Sequence, residues 1–320
     1  MTRPIPKYMI AALVLAGALF PLITQNDYYI HIMTLSFIWM IAVYGLNILA
    51  GYTGYLSLAH AGFFAVGAYA LGLLTVKAGI GFWFAFLLAP LITTVIGFLI
   101  GLLALRTKEH FFAIYTLCVG YVIYMLIDKW DSLTEGVRGL MGIPYPSNIG
   151  PISFESNISQ YYFVFAVLLL SIFVIYRIVH SLVGRTFIAI RNSEELALSI
   201  GISTRKNKLL AFVLSTFFAG LAGALYASFI RFLGPEIGST TITFDMLMYL
   251  IVGGIGTLSG PIIGTIIIVW LSQHLQFLQD YRMLLFGPLL ALLIIFSPRG
   301  IVGMIVAFRE KWKQRKKVNT

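Results

Sequence analysis

One stretch of this sequence sets an ionisable side chain among closely spaced glycines inside an apolar run. Between Asn47 and Tyr69 the apolar run NILAGYTGYLSLAHAGFFAVGAY carries Gly51, Gly54, Gly62 and Gly67, with Ser57 and His60 among them. Glycine weakens a helix but lets backbones approach closely, and it lets a membrane helix break where it lines a cavity. If the chain after the break is helical, Ser57, His60, Phe64 and Gly67 share one face by the i, i+3, i+4, i+7 rule. His60 is the polar group to explain. An ionisable residue at membrane depth costs a few kcal/mol against lipid, so it should face protein or a water-filled cavity. Two chemistries meet that condition: a neutral imidazole hydrogen-bonded between helices, or direct contact with a transported solute. Its span carries no carboxylate, and Asp128 and Asp245 lie at span ends, which is a poor constellation for an enzyme working within the membrane.

The elements that must position these residues are membrane helices. Of 320 residues, 59% are hydrophobic and 11% charged, far from the balance of a soluble domain. The single cysteine, Cys118, excludes an internal disulfide and a cysteine-based metal cluster, and no metal site is expected. Apolar spans are expected at about 8–24, 29–49, 55–76, 82–105, 111–127, 161–179, 209–229, 244–256, 262–278 and 283–297, roughly ten crossings, several of them short. The first reads as a retained helix: Ala16-Gly17-Ala18 resembles a cleavage site, but the run is longer than a signal core and continues without a polar break. The fold class is therefore expected to be all-α, a polytopic membrane protein in a single transmembrane domain over 1–320.

The formal charge of +10 follows the spans. With the N-terminus inside, the even count returns the C-terminus to the cytoplasm, and of the 22 basic residues only Lys77, Lys129, Arg138, Arg231 and Arg282 fall outside. This distribution argues for a lipid membrane and against nucleic acid. The tail over about 303–320 reads as a basic orientation determinant near anionic lipid. The segment over about 128–160 is the long external loop, dense in glycine and proline, which fits either a turn-rich cap over the outer mouth or a plain surface loop.

An internal repeat appears on shifting the chain by 202 positions, from Gly51 to Gly253. Gly51-x-x-Gly54-x-Leu56-Ser57 recurs as Gly253-x-x-Gly256-x-Leu258-Ser259, and Gly62 as Gly264. Both copies fall where a span arriving from outside turns back, so two structural repeats with broken or short helices are expected, with the translocation pathway at Gly51, Gly54, Ser57, His60, Gly253, Gly256 and Ser259. Ile262 stands where the first copy has His60, so chemistry at that level would be asymmetric.

The cytoplasmic segment over about 181–208, SLVGRTFIAIRNSEELALSIGISTRKNK, is the other informative stretch. Asn192 with Glu195 three residues on resembles a capping box and Gly201 is placed to end a short helix over Ser193 to Ile200. Leu196, Ala197 and Ile200 would share a face, and so short a helix needs that face docked. A bilayer surface is one candidate. Two adjacent glutamates at the helix start oppose an anionic membrane and favour a protein partner.

The pattern resembles the LivM-type permease of branched-chain amino-acid ABC importers along nearly the whole chain. The residues carrying the resemblance are GYTGYLSLAHAGFFAVGAYA, LMGIP, GRTFIAIRNSEELALSIGI running into LLAFVLSTFFAGLAGALYA, VGGIGTLSGPIIG and FSPRGI. It implies a multi-pass subunit of a bacterial inner or plasma membrane working with a second, LivH-type permease, two cytoplasmic ATPase subunits and an extracytoplasmic solute-binding protein. Arg191, Glu194, Glu195, Ala197 and Gly201 would belong to the segment that couples to the ATPase. The chain carries no GxxxxGK[ST] sequence, so it cannot itself be the ATP-driven engine; it is expected to be a non-catalytic subunit, with ATP and magnesium bound by the partner ATPases. Against the family pattern, Tyr55 stands near a usual glutamine, Glu109 near a glycine, Tyr121 near an acid and Met141 near a small polar residue. Those differences bring in urea or short amides as an alternative cargo, while an ATP-independent channel is the rival from another class.

Overall fold

The computed structural model describes residues 15, 17–24, 26–107, 109–148, 150–151, 153–274 and 300–304. Eight apolar helices dominate. They are α1 (Asp27–Leu46), α2 (His60–Val76), α3 (Phe82–Ala104), α4 (Glu109–Lys129), α5 (Asn157–Val179), α8 (Thr204–Ile230), α9 (Thr240–Gly253) and α10 (Gly260–His274), with the short α6 (Leu182–Asn192) and α7 (Glu194–Ser199) between α5 and α8. Five spans are long and apolar enough to cross a membrane and three, α2, α9 and α10, are shorter. The expected tenth span and most of the basic tail lie outside the described residues, as does about half of the first span.

The helices sort by burial. α1, continuous with a π-helical turn over Asn47–Thr53, is buried on nearly all sides, as is much of α8, whereas α3, α4 and α5 each leave a broad face uncovered. A helix apolar all round belongs in an interior or in lipid. On α3 the uncovered face holds Leu87, Leu91, Val95 and Leu99, each more than half exposed, which marks it as a lipid-facing stripe. The inner helices pack with backbones almost touching. A Cβ on Gly67 of α2 would overlap the carbonyl of Gly220 in α8, so only small residues allow this crossing.

The loops gather at two ends. At one, β1 (Leu140–Met141) pairs antiparallel with β2 (Phe232–Leu233), in the register Leu140 to Leu233 and Met141 to Phe232. Tyr69 donates its hydroxyl to the Leu233 carbonyl at 2.9 Å, Lys77 binds Glu135 at 2.8 Å, and Trp83 Nε1 donates to the Ser147 carbonyl at 2.9 Å. The Arg231 guanidinium lies 4.0 Å from the Tyr145 ring centroid. These contacts tie the described part of the 128–160 segment to α2, α3 and β2. The other end carries α6, α7 and both glycine-rich breaks.

Several boundaries differ from those read in the sequence. Helix α2 starts at His60, five residues later than the apolar run, because Gly54 takes the left-handed conformation (φ 85°) and the chain to Ala59 stays irregular. Ser57 therefore precedes the helix and does not share its face with His60, Phe64 and Gly67. The 181–208 segment is helical for most of its length, since Ser181 caps α6 and α8 begins at Thr204, adding a basic turn before the apolar part.

The Gly67–Gly220 approach leads to an expectation. Gly67→Leu should destabilise the purified protein by about 1–3 kcal/mol through overpacking. A thermal melt in detergent checks it, with Gly81→Ala, whose Cβ meets nothing within 4 Å, expected to melt like the parent.

Candidate functional site at the junction of the two repeats

The two glycine-rich breaks lie against each other. In the first, α1 widens into the π turn, placing the wholly buried Asn47 where its amide can leave the helix. Asn47 Nδ2 donates to the Thr257 carbonyl at 2.8 Å, and Oδ1 accepts from the Gly256 amide at 2.9 Å. One turn earlier, Tyr44 donates its hydroxyl to the Leu258 carbonyl at 2.6 Å. The side chains of the first break thus satisfy the backbone of the second, where α9 has ended and α10 has not begun.

Gly51 and Gly256 form the centre of this contact. A Cβ on Gly51 would lie 2.7 Å from the Gly256 nitrogen and would overlap the Asn47 amide. Thr257 organises the second break by donating to the Gly254 carbonyl at 2.8 Å and accepting from the Gly260 amide at 3.0 Å, which caps α10. Gly253 packs against Gly260 across the same turn, and the Ser259 carbonyl accepts from the Ile263 amide in the first turn of α10.

His60 stands apart from this junction, at the contact of α2 with α1 and α8. It is 1% exposed, with Nε2 2.8 Å from the Ala42 carbonyl and Nδ1 3.5 Å from Ser215 Oγ. A neutral ring that donates from Nε2 and accepts at Nδ1 fits both partners. Of the two readings of His60, this geometry matches the hydrogen bond between helices. Ser57 is also buried, its hydroxyl 3.4 Å from the Ala59 amide.

The α6–α7 segment reaches into the junction. Arg191, in the last turn of α6, donates from a guanidinium nitrogen to the Gly51 carbonyl, and a Cβ on Gly256 would overlap that nitrogen. Gly54 lies against the stem of the same arginine. Next in line, Glu194 Oε1 meets Lys208 Nζ at 2.6 Å while Oε2 accepts from the Tyr55 hydroxyl at 2.6 Å. Lys208 closes the triangle, donating to that hydroxyl at 2.9 Å, and its side chain is only 8% exposed. Burial pushes the Glu194 carboxyl up, but hydrogen bonds from Lys208, Tyr55 and Thr204 outweigh it and hold the group below the usual carboxylate range.

Helix α7 is capped by Ser193, whose hydroxyl accepts from the Leu196 amide, and not by Asn192, which α6 absorbs as its last residue. Gly201, at φ 83°, follows its end. The expected apolar face is corrected in one member: Ala197 is buried at 1%, whereas Leu196, Leu198 and Ile200 are exposed at 64%, 54% and 67%. On so short a helix Ala197 lies at the inner edge, and its carbonyl accepts from the Ile202 amide. The guanidinium tip of Arg191 reaches the Gly51 carbonyl although the residue as a whole is exposed, the half-buried Glu194 turns to Lys208 and Tyr55, and Glu195 and the three aliphatic side chains are among the exposed residues of the segment. The sequence reading passed over Asn47, Tyr44 and Lys208, and took Tyr55 only as a departure from the family pattern. Asn47 carries a signal, as an amide at the end of an otherwise apolar run; Tyr44 carries none.

Comparison with known proteins follows this geometry. A family model described as "Branched-chain amino acid transport system / permease component" matches residues 28–296. The chain is 32% identical to the high-affinity branched-chain amino acid transport system permease protein LivM of Escherichia coli K12, over 93% of this chain and 75% of the relative, and 31% identical to LivM of Salmonella typhimurium over the same shares. It is 26% identical to the permease protein LivH of Escherichia coli K12, over 85% of this chain and 93% of that one. No solved structure matches. A match across most of the chain, on a bundle of apolar helices with two broken repeats, makes this protein a multi-pass membrane member of the LivM-type family of branched-chain amino acid transport permease components.

Proposed function

We infer that this chain is the permease subunit of an ATP-driven importer for leucine, isoleucine and valine, and that it forms half of the translocation pathway. The observation that carries this reading is the build of the α6–α7 segment: exposed Leu196, Leu198 and Ile200 on and just after a six-residue helix that is tied through its own Glu194, and through Arg191 at the end of α6, to the chain around the first break. So short a helix is not stable by itself, and an aliphatic patch at its tip fits a groove in a partner. The partner proposed is a cytoplasmic ATPase, present twice, which supplies the ATP and magnesium chemistry. A LivH-type permease provides the other half of the pathway, and an extracytoplasmic binding protein delivers the solute.

The α6–α7 end is assigned to the cytoplasm of a bacterial inner or plasma membrane, with both termini on that side. Support comes from the positive-inside rule: Arg106, Arg177, Arg185, Arg191, Arg205, Lys206 and Lys208 belong to this end, against Lys77, Lys129, Arg138 and Arg231 at the other. The case for an amide cargo weakens in the light of where the unusual residues sit. Tyr55 is committed to Glu194 and Lys208, while Tyr121 and Met141 are exposed at 53% and 64% on the periphery.

Three outcomes are expected. Cells lacking this gene should regain uptake of leucine, isoleucine and valine when it is restored, and that uptake should stop on ATP depletion; urea uptake alone would replace the cargo, and uptake surviving depletion would indicate a channel. Replacing Leu196 and Ile200 together by aspartate should reduce ATPase copurification at least tenfold while leaving insertion unchanged, as read by pull-down from membranes. Glu194→Gln should lower stability by about 1–2 kcal/mol at neutral pH, the scale of a charge-assisted hydrogen bond. Because the folded Glu194 carboxyl titrates below its unfolded value, its contribution is present above about pH 4.3 and is lost as pH falls through the folded value. The melting difference between parent and Glu194→Gln should therefore be constant from pH 8 to about 5 and shrink progressively as the pH falls below the unfolded value of about 4.3.

A further inference from the structure

We propose that Arg191 is a latch that holds the two repeat breaks together, and that withdrawing it opens the pathway at this end. The latch is a positioning device for transport and rests on the permease function proposed above. Three observations place it. The first is that the π turn leaves the Gly51 carbonyl without its helical donor, because the Tyr55 amide turns back to the Leu49 carbonyl at 3.2 Å. Arg191 supplies the donor instead, from 140 residues away.

The second is that the same guanidinium occupies the space that a Cβ at Gly256 would need, so one side chain touches both breaks at their closest point. A planar guanidinium can donate to the Gly51 carbonyl while lying against the Gly256 backbone, a flat contact that the compact ammonium of lysine on its flexible stem does not reproduce. The third is that Arg191 lies three residues before Glu194, and the Glu194–Lys208–Tyr55 triangle fixes α7 to α8 and to the chain just after Gly54. A displacement of α7 is therefore carried to Arg191 at one side of the junction and to Tyr55 at the other. With the arginine withdrawn, the contact between the breaks keeps only the Asn47 amide and the Tyr44 hydroxyl as hydrogen-bond links.

The test uses the full complex, with its ATPases and second permease, purified in detergent and reconstituted in vesicles. In a Cys118→Ser background, Leu258→Cys reports on the junction through its rate of labelling by a soluble maleimide. Arg191→Ala is expected to assemble with its ATPases, while solute moved per ATP hydrolysed falls at least tenfold and labelling of Leu258→Cys rises at least tenfold. Arg191→Lys should recover part of both. Should Arg191→Ala fail to insert, Arg191→Gln, which keeps a neutral donor, carries the same labelling comparison. Unchanged labelling overturns the latch, as does a fall in hydrolysis and uptake in proportion to inserted protein. Loss of the ATPases from an inserted Arg191→Ala complex overturns it too, since that marks an ATPase contact. If the parent complex moves none of the branched-chain amino acids, the permease reading fails while the labelling result still decides the latch.

Discussion

The structure depends on one constraint: a chain that breaks its helix among apolar neighbours must find partners for the peptide groups it frees. Each break here leaves amides and carbonyls without helical partners. The solution is mutual. Asn47 and Tyr44 of the first break serve Gly256, Thr257 and Leu258 of the second, and Arg191 serves Gly51. Bringing the breaks close enough for this requires that neither carry side-chain bulk at the contact, which is the physical meaning of the paired glycines at 51 and 256.

This exchange explains why a short amphiphilic segment can be structural and communicative together. Helix α7 has too few residues to persist in water, and its inner side is held by a triangle of Glu194, Lys208 and Tyr55. Truncating one member would leave the others buried and unmatched, so the segment holds its position relative to α8 and the first break. Its outer side is left apolar and uncovered.

Much of the bundle was legible in the sequence, because long apolar runs report helices directly and the 202-position repeat reported the shared break. The ends of elements were less legible. The capping residue moved by one position, from Asn192 to Ser193, since either side chain can serve and only the tertiary path of α6 selects. His60 drew attention as an ionisable group in an apolar run, yet its place between Ala42 and Ser215 depends on how three helices cross. Arg191 and Glu194 were readable as members of the cytoplasmic segment by pattern, but their inward aim was not, because sequence spacing does not encode contacts across 140 residues.

The two ends of the bundle are fastened in different materials. At the β1–β2 end, main-chain hydrogen bonds join segments near residues 140 and 232, and such a ladder is undone only by moving the backbone itself. At the α6–α7 end the fastening is made mostly by side-chain tips, which exchange partners by rotamer changes on far shorter timescales. A load applied evenly to the molecule would therefore part the second seam first, and the ladder would serve as its pivot.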